Sequence, residues 1–177
     1  MVTILIAGIV LVALFAAAAA YGVRRRGNPY AHLRAQALTS DAATLGIAPS
    51  DDVWGVLMDL PISGVIATVV AFADGSASIY LSSGGGFIGG GHKPPIQRAA
   101  RAFVAAAGAA RALLAPTATF PTSDAGSVRF YARTRGGVLG ADAPEQALAS
   151  GRHALSPLFM AGQGVISAYR EDQTGKN

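Results

Sequence analysis

Residues 53–82 read VWGVLMDLPISGVIATVVAFADGSASIYLS, and the period of that stretch decides the fold class. Trp54, Val56, Met58 and Leu60 recur at every second position, which places them on one face of a half-buried strand. Pro61-Ile62-Ser63-Gly64 turns the chain, and 65–73 is apolar on both faces, as a central strand is. Asp74-Gly75 is a hairpin signal leading into 77–82. Connections this short make the three strands antiparallel, because a parallel return needs a crossover of roughly a dozen residues or more.

Toward the C-terminus the period changes to that of a helix. Pro94-Pro95 opens it, Ile96, Ala100, Phe103, Ala107, Ala110 and Leu114 form one apolar stripe, Arg98 and Arg101 face away, and Pro116 stops it. A second hairpin is expected over 128–134 and 138–141 around Arg135-Gly136-Gly137. Asp142 with Glu145 three residues on predicts a capping box for a short helix ending near Gly151. Ser156-Pro157 starts the last helix, through Leu158, Val165, Ile166 and Tyr169, with Gly162 and Gly164 weakening it, and a frayed tail is expected over 172–177.

Toward the N-terminus, Asn28-Pro29 reads as an N-cap followed by a first-turn proline. The helix is expected over 29–45, with Tyr30, Leu33, Ala37 and Thr44 near one face and Gly46 and Pro49 beyond its end. The order is helix, three strands, helix, two strands, two helices. It predicts an α+β domain over 27–171, with an antiparallel sheet of about five strands covered mainly on one face. At the level of element order this resembles the small sheet-and-helix modules of the roadblock and profilin type, which scaffold or bind partners.

Ahead of that domain, residues 2–21 carry no charge, and Arg24, Arg25 and Arg26 follow almost at once. Twenty helical residues match a hydrocarbon layer of roughly 30 Å. A single transmembrane anchor over 1–26 is therefore expected, with Tyr21 at the interfacial level. The arginines, Arg34 included, stay in the cytoplasm, so the chain runs N-out, C-in and the lipid bilayer is one partner. A cleavable signal is disfavoured, since it lacks a positive n-region and is followed by the arginine triplet. A buried core helix is disfavoured because no face of the segment is polar.

Composition narrows the function classes. Setting aside Arg24, Arg25 and Arg26, eleven of the 14 basic residues remain against ten acidic ones, so the domain is nearly neutral and no nucleic acid is expected as partner. There is no cysteine, which excludes disulfide scaffolds and thiolate metal sites. The excess of arginine over lysine and the abundance of alanine fit a GC-rich bacterial genome.

One stretch of the domain has the character of a binding site: Gly84, Gly85, Gly86, Phe87, Ile88, Gly89, Gly90, Gly91, His92 and Lys93. Bare backbone N–H groups ahead of a helix N-terminus, with His92 and Lys93 beside them, suit a phosphate or carboxylate. Gly84, Gly86 and Gly89 satisfy G-x-G-x-x-G, but the dinucleotide context is missing: the strands are antiparallel, Pro-Pro intervenes, and no acid occurs between Asp74 and Asp124. A P-loop fails because Gly91 precedes His92 rather than lysine, and Pro94 stands where magnesium needs a hydroxyl. The competing reading is a flap handing strand to helix, with Phe87-Ile88 plugging a gap or a partner surface.

His32, His92 and His153 lack metal-ligand spacing, and no cofactor, metal or catalytic constellation is expected. Ser82 or Ser83 with His92 lacks an orienting acid. Arg129, Tyr131, Arg133 and Arg135 alternate onto one face of a strand, read as a solvated face or one attracting acidic groups. The chain is therefore expected to be a protein-interaction or scaffold module, with a protein partner or a second copy, rather than an enzyme. The alternative is a small-anion or nucleotide-binding domain, or an enzyme, using 84–93.

Overall fold

The computed structural model describes residues 27–47 and 53–174. The strands are β1 (Gly55–Ile62), β2 (Val65–Phe72), β3 (Ala77–Leu81), β4 (Gly86–Phe87), β5 (Ala115–Pro116), β6 (Ser127–Thr134) and β7 (Gly137–Pro144). The helices are α1 (Tyr30–Thr39), α2 (Pro94–Ala109), α3 (Glu145–Ala149) and α4 (Ser156–Thr174). The class is α+β, with one seven-stranded sheet in the order β4-β3-β2-β1-β6-β7-β5 and every pair antiparallel. The five long strands are the ones that the alternation at β1, the two-sided apolar run of β2 and the turn signals lead one to expect. The additional β4 and β5 are two-residue edges, too short to carry any period.

One face of the sheet holds the main core. Val56, Met58 and Leu60 of β1 pack with Val69, Ile79 and Phe130 under the α2 stripe and under Leu158 and Val165 of α4. Gly162, which costs α4 helix propensity, is where α4 meets the sheet. A Cβ there would sit 2.8 Å from the Met58 sulfur and 3.2 Å from the Phe103 ring, so glycine permits the close approach.

The other face is covered too, which corrects the expectation of a sheet clothed mainly on one side. Ala37 and Leu38 of α1 close over Leu57, Val70, Tyr80 and Tyr131. Trp54 joins this side rather than the face of Val56, stacking on Phe72 with ring centroids 6.1 Å apart beside Ala42 and Ile47. The row of Arg129, Tyr131 and Arg133 is consequently no open face. Arg133 is buried, lies 4.5 Å over the Trp54 ring, and donates from Nη1 to the Ala37 carbonyl (2.7 Å) and from Nη2 to the Ser40 carbonyl (2.6 Å). A cation fits there because the last carbonyls of a helix lack partners of their own. Burial draws the Arg133 guanidinium below its ordinary pKa, opposed by the charge of Asp41.

Three boundaries move for identifiable reasons. α1 stops at Thr39, and Asp41 caps the turn that follows by accepting the Thr44 N–H at 2.6 Å. Asp142 is a strand residue opposite Arg129, because the β6 ladder continues to the pair Ser127 with Pro144 and overrides the local capping box. At the C-terminus α4 runs through Asp172, where fraying was expected, to Thr174.

The membrane placement is corrected as well. Among the described residues no helix is long and apolar enough to cross a membrane. The 19-residue α4 carries Arg170, Glu171 and Asp172 and spends its apolar face on the sheet. Segment 1–26, with Tyr21, Arg24, Arg25 and Arg26, on which the single-pass, N-out/C-in, cytoplasmic reading and the bilayer partner rest, lies outside the described residues. Arg34, counted there as part of a basic flank, is instead a buried partner of Asp59.

Candidate functional site

The glycine stretch is a braced connection between β3 and α2. Gly84 and Gly85, at φ 97° and 82°, make the turn that lets the Gly84 N–H reach the Leu81 carbonyl at 2.8 Å. Gly86, at φ 138°, pairs with Tyr80, and a Cβ on it would fall 2.0 Å from the Ile79 carbonyl oxygen, so no other residue fits. Phe87 turns inward and stacks on Tyr169 at 5.4 Å between centroids. Ile88 turns outward and is 70% exposed.

Gly89 then leads into a 3₁₀ turn, Gly90–His92, immediately before α2. The buried Gly90 donates its N–H to the Tyr169 hydroxyl at 3.1 Å, and that hydroxyl donates to the Ala77 carbonyl at 2.5 Å. Burial pushes the Tyr169 phenol up to about 12, against the Gly90 N–H bond, which lowers it. Lys93 forms an ion pair with Asp172 of α4, and the Gln97 amide donates to the Gly91 carbonyl at 2.5 Å. His92 is exposed. Pro94 and Pro95, which have no N–H to leave unpaired, open α2. The predicted residues 84–93 are thus brought together in one loop, with the Gly90 N–H and the Lys93 ammonium engaged by α4. A shallow groove of about 360 Å³ lies elsewhere, lined by Pro61, Ser63, Gly64, Ile66, Ala125 and Gly126, none of them titratable.

A second polar centre escaped the reading of the sequence. Asp59, in the middle of β1, is fully buried. Its Oδ1 accepts from the Thr68 hydroxyl at 2.6 Å, and its Oδ2 accepts from Arg34 Nη2 at 2.5 Å and Nε at 3.1 Å. Arg34 spends its other donors on the carbonyls of Phe120 (2.8 Å) and Pro121 (3.0 Å). The Tyr30 hydroxyl meets Thr68 at 2.9 Å, and that of Tyr131 donates to Pro121 at 2.6 Å. Burial works against the Arg34 charge, but the hydrogen bonds and charge of Asp59 outweigh it and hold the guanidinium above its ordinary pKa. Burial likewise raises the Tyr30 phenol.

With Asp59, Phe120 and Pro121 all accepting from it, the Arg34 guanidinium seats α1 on this face of the sheet. The signal for the ion pair was present: an aspartate between Met58 and Leu60 in an apolar strand requires a cation, since an unpaired carboxylate there is prohibitive. Its partner lies 25 residues away and has no local mark.

Among the described residues no group of three or more His, Asp or Glu side chains is placed to hold a metal ion. No family model, curated protein or solved structure matches the chain. The resemblance to roadblock and profilin modules therefore rests on element order alone.

Proposed function

We propose that the α+β domain is a protein-interaction module whose contact point is the tip of the glycine loop. The observation that carries this reading is Ile88, a large apolar side chain 70% exposed on a loop tied down on either side. Phe87 on Tyr169, the Gly90 N–H on the Tyr169 hydroxyl and Lys93 on Asp172 fix the loop to α4, so ordering it costs little when a partner closes over the tip. An apolar anchor on a pre-ordered support is the usual nucleus of a binding surface. The alternative, a small anion or nucleotide on 84–93, draws less support, because donors it would use are already committed to α4.

The test is site-specific photo-crosslinking of the full chain, with the probe at position 88 and a control probe at the exposed Ala105 of α2. A discrete adduct from 88, absent from 105 and reduced by Tyr169→Phe, is the expected result. Equal labelling from both positions overturns the reading. A thermal shift with phosphate or nucleotides that disappears in His92→Ala moves the assignment to the anion alternative.

A further inference from the structure

α1 differs from the other long helices in length and in how little of it is apolar contact. It has ten residues against 16 in α2 and 19 in α4, and its first N–H, that of Tyr30, is accepted by the Asn28 side chain at 3.0 Å. A helix of that length is not stable by itself in water, so docking makes it helical. Only Arg34, Ala37 and Leu38 of the ten are buried, whereas α2 and α4 bury long apolar stripes in the main core.

Polar contacts hold α1 at each end and in the middle. The Asn28 amide donates to the Ser82 carbonyl at 2.7 Å, Tyr30 meets Thr68, the Arg34 fork grips Asp59, and Arg133 donates to the carbonyls of Ala37 and Ser40. The surface beneath consists of Leu57, Val70, Tyr80 and Tyr131 around one fully buried carboxylate. The main core lies on the opposite face and is complete without α1.

We infer that this face is a helix-docking site, which α1 fills in cis as a displaceable cover. The partner it fits is a helix with an arginine at the Arg34 position and a small and an aliphatic residue three and four positions later, as Ala37 and Leu38 stand in α1. Asp59 and Thr68 read the arginine, since a buried carboxylate left without a cation excludes an occupant that lacks one. This surface lies on the opposite side of the sheet from α4, which braces the glycine loop, and does not depend on the role given to Ile88.

Trp54, the single tryptophan, reports the docking, because the Arg133 guanidinium over its ring is the group that holds the end of α1. Two experiments on the full chain test the proposal. In hydrogen exchange of the unaltered protein, α1 amides should exchange roughly tenfold or more faster than those of β1 and β2, through an opening that leaves the sheet intact. Exchange of α1 and the sheet at one common rate overturns it. In Arg34→Ala, Trp54 emission should shift to the red, and a synthetic peptide of residues 28–41 should restore it saturably. The same peptide with Arg34→Ala should fail. If neither peptide acts, or both act equally, the face is not an arginine-reading site. Should Arg34→Ala fail to fold, exchange of the unaltered chain still decides the matter.

Discussion

Tyr169→Phe isolates what one hydroxyl does for the glycine loop. The hydroxyl accepts from the Gly90 N–H at 3.1 Å and donates to the Ala77 carbonyl at 2.5 Å, and Ala77 lies beyond the two pairs that β4 makes with β3. Phenylalanine keeps the ring against Phe87 and strands both backbone groups. Each buried group left without a partner costs about 1–3 kcal/mol, so the variant should lose roughly 2–6 kcal/mol. For a chain of this size that is a fall in Tm of about 4–24 °C. Urea unfolding followed by Trp54 fluorescence measures it, and a loss below about 0.5 kcal/mol would refute the claim that this hydroxyl braces the loop. The alkaline limb supplies an independent check. A phenol raised to about 12 in the folded state stabilises fully below its unfolded value near 10 and loses that contribution as pH climbs toward 12. The loss is roughly 2–3 kcal/mol at most, and Tyr169→Phe should lack it, with Tyr30 and Tyr80, also raised by burial, titrating in both proteins. Parallel stability curves for the two proteins above pH 10 would count against the assignment.

Four further outcomes are expected. Gly90→Ala puts a Cβ 2.3 Å from the Tyr169 hydroxyl and 2.7 Å from Ile96 Cγ2, and should destabilise by about 1–3 kcal/mol in denaturant titration. Gly89→Ala, in open space at φ +81°, should cost only about 1–2 kcal/mol, all of it backbone strain. Asp59→Ala leaves Arg34 buried without its carboxylate and should cost about 3–5 kcal/mol, while the paired change Arg34→Met with Asp59→Leu should be close to neutral. Equal losses in the single and paired variants would refute the assignment of that cost to an orphaned charge. Gly162→Val should lower Tm by driving α4 away from Met58 and Phe103, at about 1–3 kcal/mol, and an unchanged melting curve would show that the contact yields.

Much of the fold was legible because its signals are local. Four of the five long strands sit within two residues of their expected limits, β7 runs three residues past its expected end to Pro144, and Ile96, Ala100, Phe103 and Ala107 are fully buried on the predicted stripe of α2. The errors occur where a long-range contact outweighs a local preference. Asp142 and Glu145 form a reasonable capping box, but eight cross-strand pairs of β6 with β7 keep Asp142 extended. Trp54 follows the alternation of its strand on paper, yet its ring goes to Phe72 and Arg133 on the other side. In the glycine loop, the clustering of 84–93 was readable, while the destination of its donors was not, because Tyr169 and Asp172 belong to the far end of the chain.

The order of residues by itself determined the α+β class, the antiparallel pairing, the central strands and the stripe by which α2 meets them, since periodicity and turn chemistry are properties of neighbours along the chain. Only the tertiary structure decided that both faces of the sheet are covered, that Asp59 is answered by Arg34, and that the loop is pinned through Tyr169. Those outcomes depend on which distant side chains arrive at one point, and the cost of leaving a buried charge or N–H unpaired says that a partner must arrive without saying which.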